Sequence, residues 1–292
     1  MSALKEKLEA GGFPVTSEIG PPKGIDVQHE VEAAVSLKDS VTAVNVTDLQ
    51  SAVMRVGSLA VCHLLNTRGV EPVLQVTCRD RNRISLQSEL LSAAVLGIEN
   101  VLCLTGDHIV LGDHKEAKPV FDLDSVQLLK AVADLNSGHD MAGHELQGSP
   151  DLFAGAVVTP EFEPVELQLL KMKKKVDAGA RFFQTQAVFD PATFESFMER
   201  ASRFNVPVMV GLVLLKSAGM AKFMNKNVAG VRVPDDVVEE MAKTSKPDRK
   251  KKAAEIAART IRAVRACCQG VHIMPLGWDD VVVDILKQAE LA

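Results

Sequence analysis

The chain has no tyrosine and a single tryptophan, and aromatic residues make up only 4% of its 292 positions. A site built on stacked rings or phenolic hydroxyls has little to draw on. The five cysteines are odd in number and include no CxxC pair, which argues against a disulfide framework and points to reduced thiols in a cytoplasmic setting. No apolar run approaches the roughly 18 residues of a membrane span. The first twelve residues mix lysine with glutamate and lack the apolar segment of a signal peptide. A surplus of positive charge is also missing: 33 basic residues face 38 acidic ones for a net charge of −5, so no general basic surface for nucleic acid is expected. GxGxxG, Walker A and GxSxG motifs are absent, so a dinucleotide would have to bind somewhere other than a Rossmann crevice.

What is present is a substantial apolar fraction, 47%, against 24% charged, enough for a large core. Short runs rich in β-branched residues alternate with helical patterns from end to end. Strands are expected at residues 14–20, 41–48, 71–78, 100–107, 153–160, 182–190, 206–215 and 270–277, most of them apolar on both faces. Helices are expected at 85–97, 125–136, 166–178, 192–204, 248–267 and 279–289. Eight strand-then-helix units imply an α/β fold, a single (β/α)8 TIM barrel spanning 1–292 as one domain, with an extra helical segment near 231–252. The Gly/His/Ser-rich stretch 139–150 reads as an active-site loop. The basic run 246–252 is a solvated helix start or a docking surface for an acidic partner.

In such a barrel, polar residues at the C-terminal ends of strands point to the site. Glu18 closes an apolar strand before a rigid Pro21-Pro22 turn. A carboxyl held beside apolar surface keeps its proton more readily, which suits a general acid; the competing expectation is an ordinary ion pair with Arg79, Arg81 or Arg83. Asp107 follows Gly106, whose missing side chain would let a ligand approach, although an Asp there also suits a turn or cap. Alternation puts Gln184 and Gln186 on one strand face, and Asn45 and Thr47 likewise. Lys171, Lys174 and Lys175 at helical spacing could hold a phosphate, or simply form a solvated face. His108, His114, His139 and His144 fall in loops without metal-ligand spacing, so no metal site is expected. Cys78 and Cys103 read as core, and Cys267-Cys268 as structural.

Taken in order, Ser17-Glu18-Ile19-Gly20-Pro21-Pro22, Asn45-Val46-Thr47-Asp48, Thr77-Cys78-Arg79-Asp80-Arg81-Asn82, Leu104-Thr105-Gly106-Asp107, Lys175-Val176-Asp177-Ala178-Gly179-Ala180 and Thr185-Gln186 resemble the methylenetetrahydrofolate reductase family over nearly the whole chain. That resemblance implies an oxidoreductase, a flavoprotein barrel that passes hydride through flavin N5 to 5,10-methylenetetrahydrofolate in a ping-pong sequence, giving 5-methyltetrahydrofolate. It places Glu18 as the general acid that protonates N10 and Asp107 as the carboxylate beside the flavin and pterin. It puts Gln186, with Gln184, Lys216 and Ser217, on the folate side. Along a non-covalent FAD or FMN it sets Thr47, Gln75, Thr105, Gly106, Phe121, Gln168, Lys171, Lys174 and Lys175. Gln168 stands where well-known bacterial members have an acidic residue, and Gln75 where they have histidine. Ala187, Ala218 and Met274 replace aromatic residues that stack NADH or folate in the NADH-dependent members. This pattern is similar to the branch found in anaerobes and acetogens, in which an iron-sulfur or zinc-containing partner subunit supplies electrons in place of NAD(P)H; an oligomer or hetero-complex is then expected. The alternatives from other classes are a pterin-binding methyltransferase and a non-catalytic barrel subunit of a one-carbon complex.

Overall fold

Strands that are apolar on both faces can hide both only in a parallel sheet sheathed by helices. The computed structural model describes residues 2–291. Its order is α1 (Ala3–Glu9), β1 (Val15–Ile19), α2 (Gln28–Ser36), β2 (Ala43–Val46), α3 (Ser58–Thr67), β3 (Pro72–Thr77), α4 (Arg83–Val95), β4 (Asn100–Leu104) and α5 (Ser125–Asn136). It continues with β5 (Phe153–Val158), α6 (Val165–Asp177), β6 (Phe182–Ala187), α7 (Pro191–Ala201), β7 (Val208–Val213), α8 (Ala218–Asn227), α9 (Asp235–Lys243), α10 (Arg249–Val264), β8 (Gly270–Met274) and α11 (Val282–Gln288). The strands pair in parallel in sequence order and β8 returns to β1, closing an eight-stranded barrel. This is the expected TIM barrel. The extra segment is α9 with the start of α10, and α9 buries Val237, Val238 and Met241 against Ala221 and Met224 of α8 and Ile256 of α10. Among the described residues no helix is long and apolar enough to cross a membrane.

The barrel interior is layered, because alternate residues of each strand point inward. At the lower, N-terminal end Val73, Leu102, Phe153, Phe182 and Met209 form an apolar plug with Leu4 and Leu8 of α1. Phe153 and Phe182 stack with centroids 5.1 Å apart. The ring of Phe182 takes the space beside Gly155, where a Cβ would fall 2.2 Å from it. Above the plug, Thr16, Asn45, Gln184 and His272 make a buried polar layer, each at most 3% exposed.

Two differences from expectation bear on the site. The strands end earlier than their apolar runs: β4 stops at Leu104 and β6 at Ala187, so the polar residues after β4 leave the ladder and line the mouth. The stretch 139–150 is not an active-site loop. It joins α5 to β5, so it lies at the lower end, where residues 146–152 border a groove with Gly97, Ile98 and Glu99. Its glycines and polar residues serve a tight turn in which the Asp140 carboxylate accepts from Ala142 and His144 N–H.

Candidate active site at the barrel mouth

The upper end of the barrel opens into a cavity of about 350 Å³. Of the residues expected at a site, Glu18, Thr47, Gln75, Thr105, Gly106, Asp107, Gln184 and Gln186 line it. Phe121, Gln168, Lys171, Lys174, Lys175, Lys216 and Ser217 do not.

Glu18 points inward from β1, with its side chain 10% exposed. It makes none of the ion pairs that an ordinary strand-end glutamate would. Arg79 binds both oxygens of Asp80 and the carbonyls of Leu49 and Asp107. Arg81 forms a bidentate pair with Asp48 at 2.7 and 3.0 Å, and Arg83 pairs with Asp122. Glu18 instead accepts from Gln75 Nε2 at 2.9 Å and faces His272 Nε2 at 3.6 Å, both on Oε2. Its other oxygen, Oε1, has neither contact.

The Asp48 carboxylate is buried and also accepts from the Thr77 N–H and hydroxyl, so it ties the ends of β2 and β3 together. Next to it Thr47 is 2% exposed and its hydroxyl has no partner. A buried unpaired hydroxyl costs about 1–3 kcal/mol, which a partner at the cavity wall would relieve.

Gly106 adopts φ +92°, and a Cβ there would come within 3.0 Å of Thr77 and 3.2 Å of Arg79. Glycine is thus required for the chain after β4 to cross the end of β3. The crossing leaves the Asp107 carboxylate exposed at the mouth while Arg79 holds its backbone. Thr105 accepts the N–H of Ser125, linking the lining to the start of α5.

On β6 the ladder to β7 slips between Gln184 and Ala187. A Cβ on Gly211 would lie 2.1 Å from the Thr185 carbonyl, so glycine permits the irregularity, which brings Thr185 to the cavity between Gln184 and Gln186. Gln186 accepts from Ala187 N–H through Oε1, leaving its amide nitrogen as the free donor. Gln184 is engaged within the barrel: it exchanges bonds with Asn45 at 2.8 and 3.2 Å and donates to Thr16 at 3.2 Å.

Beyond the cavity, Lys175 reaches from α6 and donates to the Val157 carbonyl at 2.6 Å. Burial, aided by nearby Lys171, pulls its amine down to about 8. Lys171 and Lys174 are exposed on the same helix, whereas Gln168 is buried beneath it. Phe121 is half-buried and lies 6.2 Å from the His108 ring. Lys216 and Ser217 follow β7: Ser217 caps α8, and Lys216 donates to the Leu276 carbonyl and lies 5.3 Å from the Trp278 ring centre.

Sequence reasoning missed His272, which lines the cavity at 3% exposure and bonds Thr16 through Nδ1 at 2.9 Å. The signal was available: alternation along β8 places His272 on the inward face shared with Met274.

A closed parallel barrel with carboxyl, carboxamide and unpaired hydroxyl groups gathered at its C-terminal mouth has the build of a TIM-barrel enzyme. The particular family follows from comparison, since the family model for methylenetetrahydrofolate reductase matches residues 3–290, and the chain belongs to that family. Methylenetetrahydrofolate reductase 2 of Schizosaccharomyces pombe is 25% identical over 232 residues, covering 75% of this chain and 35% of that protein. The 5,10-methylenetetrahydrofolate reductase of Escherichia coli K12 is 25% identical over 240 residues, covering 80% of this chain and 75% of the relative. The chain thus spans about a third of the yeast protein and three quarters of the bacterial one. A solved structure titled as an uncharacterized protein from Clostridium thermocellum that binds two copies of 5-methyl-5,6,7,8-tetrahydrofolic acid has the same fold. It matches at TM-score 0.66 and 15% identity over 99% of this chain and 98% of that one.

Proposed function

We propose that this chain reduces 5,10-methylenetetrahydrofolate to 5-methyltetrahydrofolate with a bound flavin, FAD or FMN, in the cytoplasm. The observation that carries the reading is Glu18: a carboxyl on the cavity wall, free of arginine, with both contacts on one oxygen. Opening the five-membered ring of the substrate requires a proton at N10, and Oε1 is the oxygen able to supply it. Such an acid contributes about 10²–10⁴ in rate, roughly 3–5 kcal/mol of barrier. The ring opens to a cationic 5-iminium, which the exposed Asp107 carboxylate stabilises across the mouth. Gln186 offers its amide nitrogen to the pterin. Gln184, with its amide engaged by Asn45 and Thr16, supports the wall of the site. Lys216 and Ser217, just after β7, meet the outer part of the folate. The Clostridium thermocellum neighbour binds the product expected here, which accords with a folate ligand for a barrel of this fold.

The residues present fit a flavin. The unpaired Thr47 hydroxyl supplies a hydrogen bond to a ring system, alongside Gln75, Thr105 and Gly106. Lys171, Lys174 and Lys175 on α6 supply positive charge for a phosphate, with Phe121 and Gln168 along the intervening chain. A flavin held by these residues would supply the hydride chemistry that the folate step needs.

The electron donor is a partner subunit carrying an iron-sulfur or zinc centre. Among the described residues no Phe, Tyr or Trp lines the cavity. The positions expected to lack rings are a buried Ala187 packed with Phe189 and Leu215, Ala218 at the start of α8, and Met274 on the wall. A stacked aromatic pair is worth about 0.5–1.5 kcal/mol, so a folded nicotinamide dinucleotide is held weakly here. The test is an anaerobic titration of the flavin-loaded protein, followed through the visible flavin band. NADH is expected to leave the band unchanged, while a chemical reductant bleaches it and methylenetetrahydrofolate restores it. Bleaching by NADH overturns the partner reading; failure of the folate to restore the colour overturns the reductase.

A further inference from the structure

The geometry points to His272 as the residue that orients Glu18 and sets which of its oxygens carries the proton, through a hydrogen-bond chain Asn45–Gln184–Thr16–His272. This inference rests on Glu18 being the general acid, and adds a positioning residue to that reading. The role requires the imidazole tautomer with its proton on Nε2. The Thr16 hydroxyl has one hydrogen, and it already accepts from Gln184 Nε2 at 3.2 Å. In that tautomer the hydroxyl gives its hydrogen to His272 Nδ1, 2.9 Å away. Nδ1 is then the acceptor, and the ring proton is on Nε2, the nitrogen 3.6 Å from Glu18 Oε2. That distance lies beyond a hydrogen bond, and a small shift of either side chain on substrate binding closes it. The ring cannot turn away without breaking a bond in a layer where Gln184 and Asn45 are locked in a mutual amide pair.

The consequence is asymmetric. Gln75 Nε2–H and His272 Nε2–H both address Oε2, so a proton delivered by the carboxyl leaves from Oε1. From there it passes to substrate N10 as the C–N bond to the methylene carbon breaks, leaving Glu18 as a carboxylate that accepts from both donors through Oε2. Hydrogen bonds to the charged form favour it, so His272 helps the acid release its proton and holds the side chain in line. The other charged groups of the lining are Asp48, Arg79 and Asp107. Asp48 is paired with Arg81 and Arg79 with Asp80, so Asp107 is the one to control for.

The experiment is a single-turnover assay in which the chemically reduced, flavin-loaded protein is mixed with methylenetetrahydrofolate across a pH series. Wild type is compared with His272→Asn, His272→Gln, Thr16→Val, Asp107→Asn and Glu18→Gln. His272→Asn removes the donor facing Oε2, and Thr16→Val frees the ring from its tautomer. Both are expected to slow the step about tenfold and to move its alkaline fall-off upward by about one pH unit, with flavin spectrum unchanged. His272→Gln places an amide nitrogen near the lost Nε2 and is expected to restore most of the rate and the original profile. Asp107→Asn is expected to slow the step without reproducing that upward shift. A merely structural role would lower amplitude or melting temperature in parallel at every pH and leave the fall-off in place, and that result overturns the inference. Should His272→Asn fail to fold, the nearly isosteric Thr16→Val reads the same coupling. If Glu18→Gln retains turnover, the general-acid reading itself fails; if it is inactive while the profiles do not move, only the role of His272 fails.

Discussion

Two glutamates at opposite ends of the barrel show how the same side chain is put to different uses. Glu71 stands just before β3 at the lower end. Its carboxylate accepts from Ser2 Oγ at 2.8 Å, the N–H groups of Ala3 and Leu4 at 2.6 and 2.9 Å, and Asn100 Nδ2 at 2.9 Å. It thereby pins the start of α1, where orphan N–H groups and the helix dipole favour an anion, and α1 in turn seals the plug with Leu4 and Leu8. Glu18 at the upper end has one hydrogen bond and one longer contact, both on a single oxygen. Saturation with donors makes a carboxylate a fastener, whereas scarcity leaves an oxygen open to a ligand. The neighbouring groups follow the same division: Asn100 below is fully engaged, whereas the Thr47 hydroxyl above has no partner.

The comparison is broken most directly by removing the charge at each end. Glu18→Gln is expected to cut folate reduction by about 10²–10⁴ while flavin binding, flavin reduction and melting temperature stay close to wild type. Glu71→Ala reverses the signature. It leaves the Ala3 and Leu4 N–H groups and the Asn100 amide at the lower end without their acceptor and is expected to cost about 1–3 kcal/mol of stability with turnover unchanged. Urea unfolding beside a steady-state assay reads both. Equal losses of activity and stability in the two variants would dissolve the distinction between the ends.

A pH-dependent prediction sharpens the contrast further. Burial lowers Lys175 from 10.5 to about 8 in the folded protein. Below pH 8 the amine is charged in both folded and unfolded chains, and its desolvation opposes folding. Between about 8 and 10.5 the unfolded chain binds the proton and the folded one does not, so this residue makes stability rise with pH across that window. Lys175→Met is expected to flatten that rise and to stabilise the flavin-free protein at neutral pH. In the flavin-loaded protein a phosphate beside the amine favours its charged form, so the rise is expected to shrink. Denaturant midpoints from pH 7 to 10, with and without flavin, measure both effects; identical slopes would remove the phosphate from this position.

The barrel was legible because parallel strands bury both faces, and that leaves a continuous apolar run that local pattern can detect. The mouth was legible because polar residues at the ends of such runs are conspicuous. What pattern could not show is which tertiary partner each polar group finds. Arg79, Arg81 and Arg83 lie close in sequence to one another, and any could have met Glu18, yet each is held by an aspartate. Gln184 reads like Gln186 by alternation, but Asn45 and Thr16 take its amide. His272 was hidden for the same reason, its role depending on a partner on β1, more than 250 residues earlier. The stretch 139–150 misled because turn residues and active-site loops share a composition, and only its place between a helix and the next strand assigns it to the lower end. The helix α1 carries too few apolar residues, Leu4 and Leu8 being its buried pair, for its short pattern to announce a plug.

The smallest expected effect concerns the unpaired hydroxyl at the mouth. Thr47→Val keeps shape and removes a polar atom that the protein alone does not satisfy. In the flavin-free state the substitution is expected to be neutral or to stabilise by up to about 1 kcal/mol, since a buried group without a partner is lost. In the flavin-bound state it removes a hydrogen bond of about 1 kcal/mol, so affinity is expected to fall about fivefold. The two effects have opposite sign, and that is the mark of a group retained for a ligand at the expense of the fold. The matching change at the lower end, Ser2→Ala, removes a hydroxyl that has acceptors in Glu71 and Asn100 and itself accepts the Lys5 N–H, and is expected to destabilise with no effect on flavin. Flavin titrations and thermal melts of the two variants decide it. A Thr47→Val protein that binds flavin as wild type does would mean the hydroxyl faces the folate or water, and the division between the two ends would then rest on Glu18 and Glu71 alone.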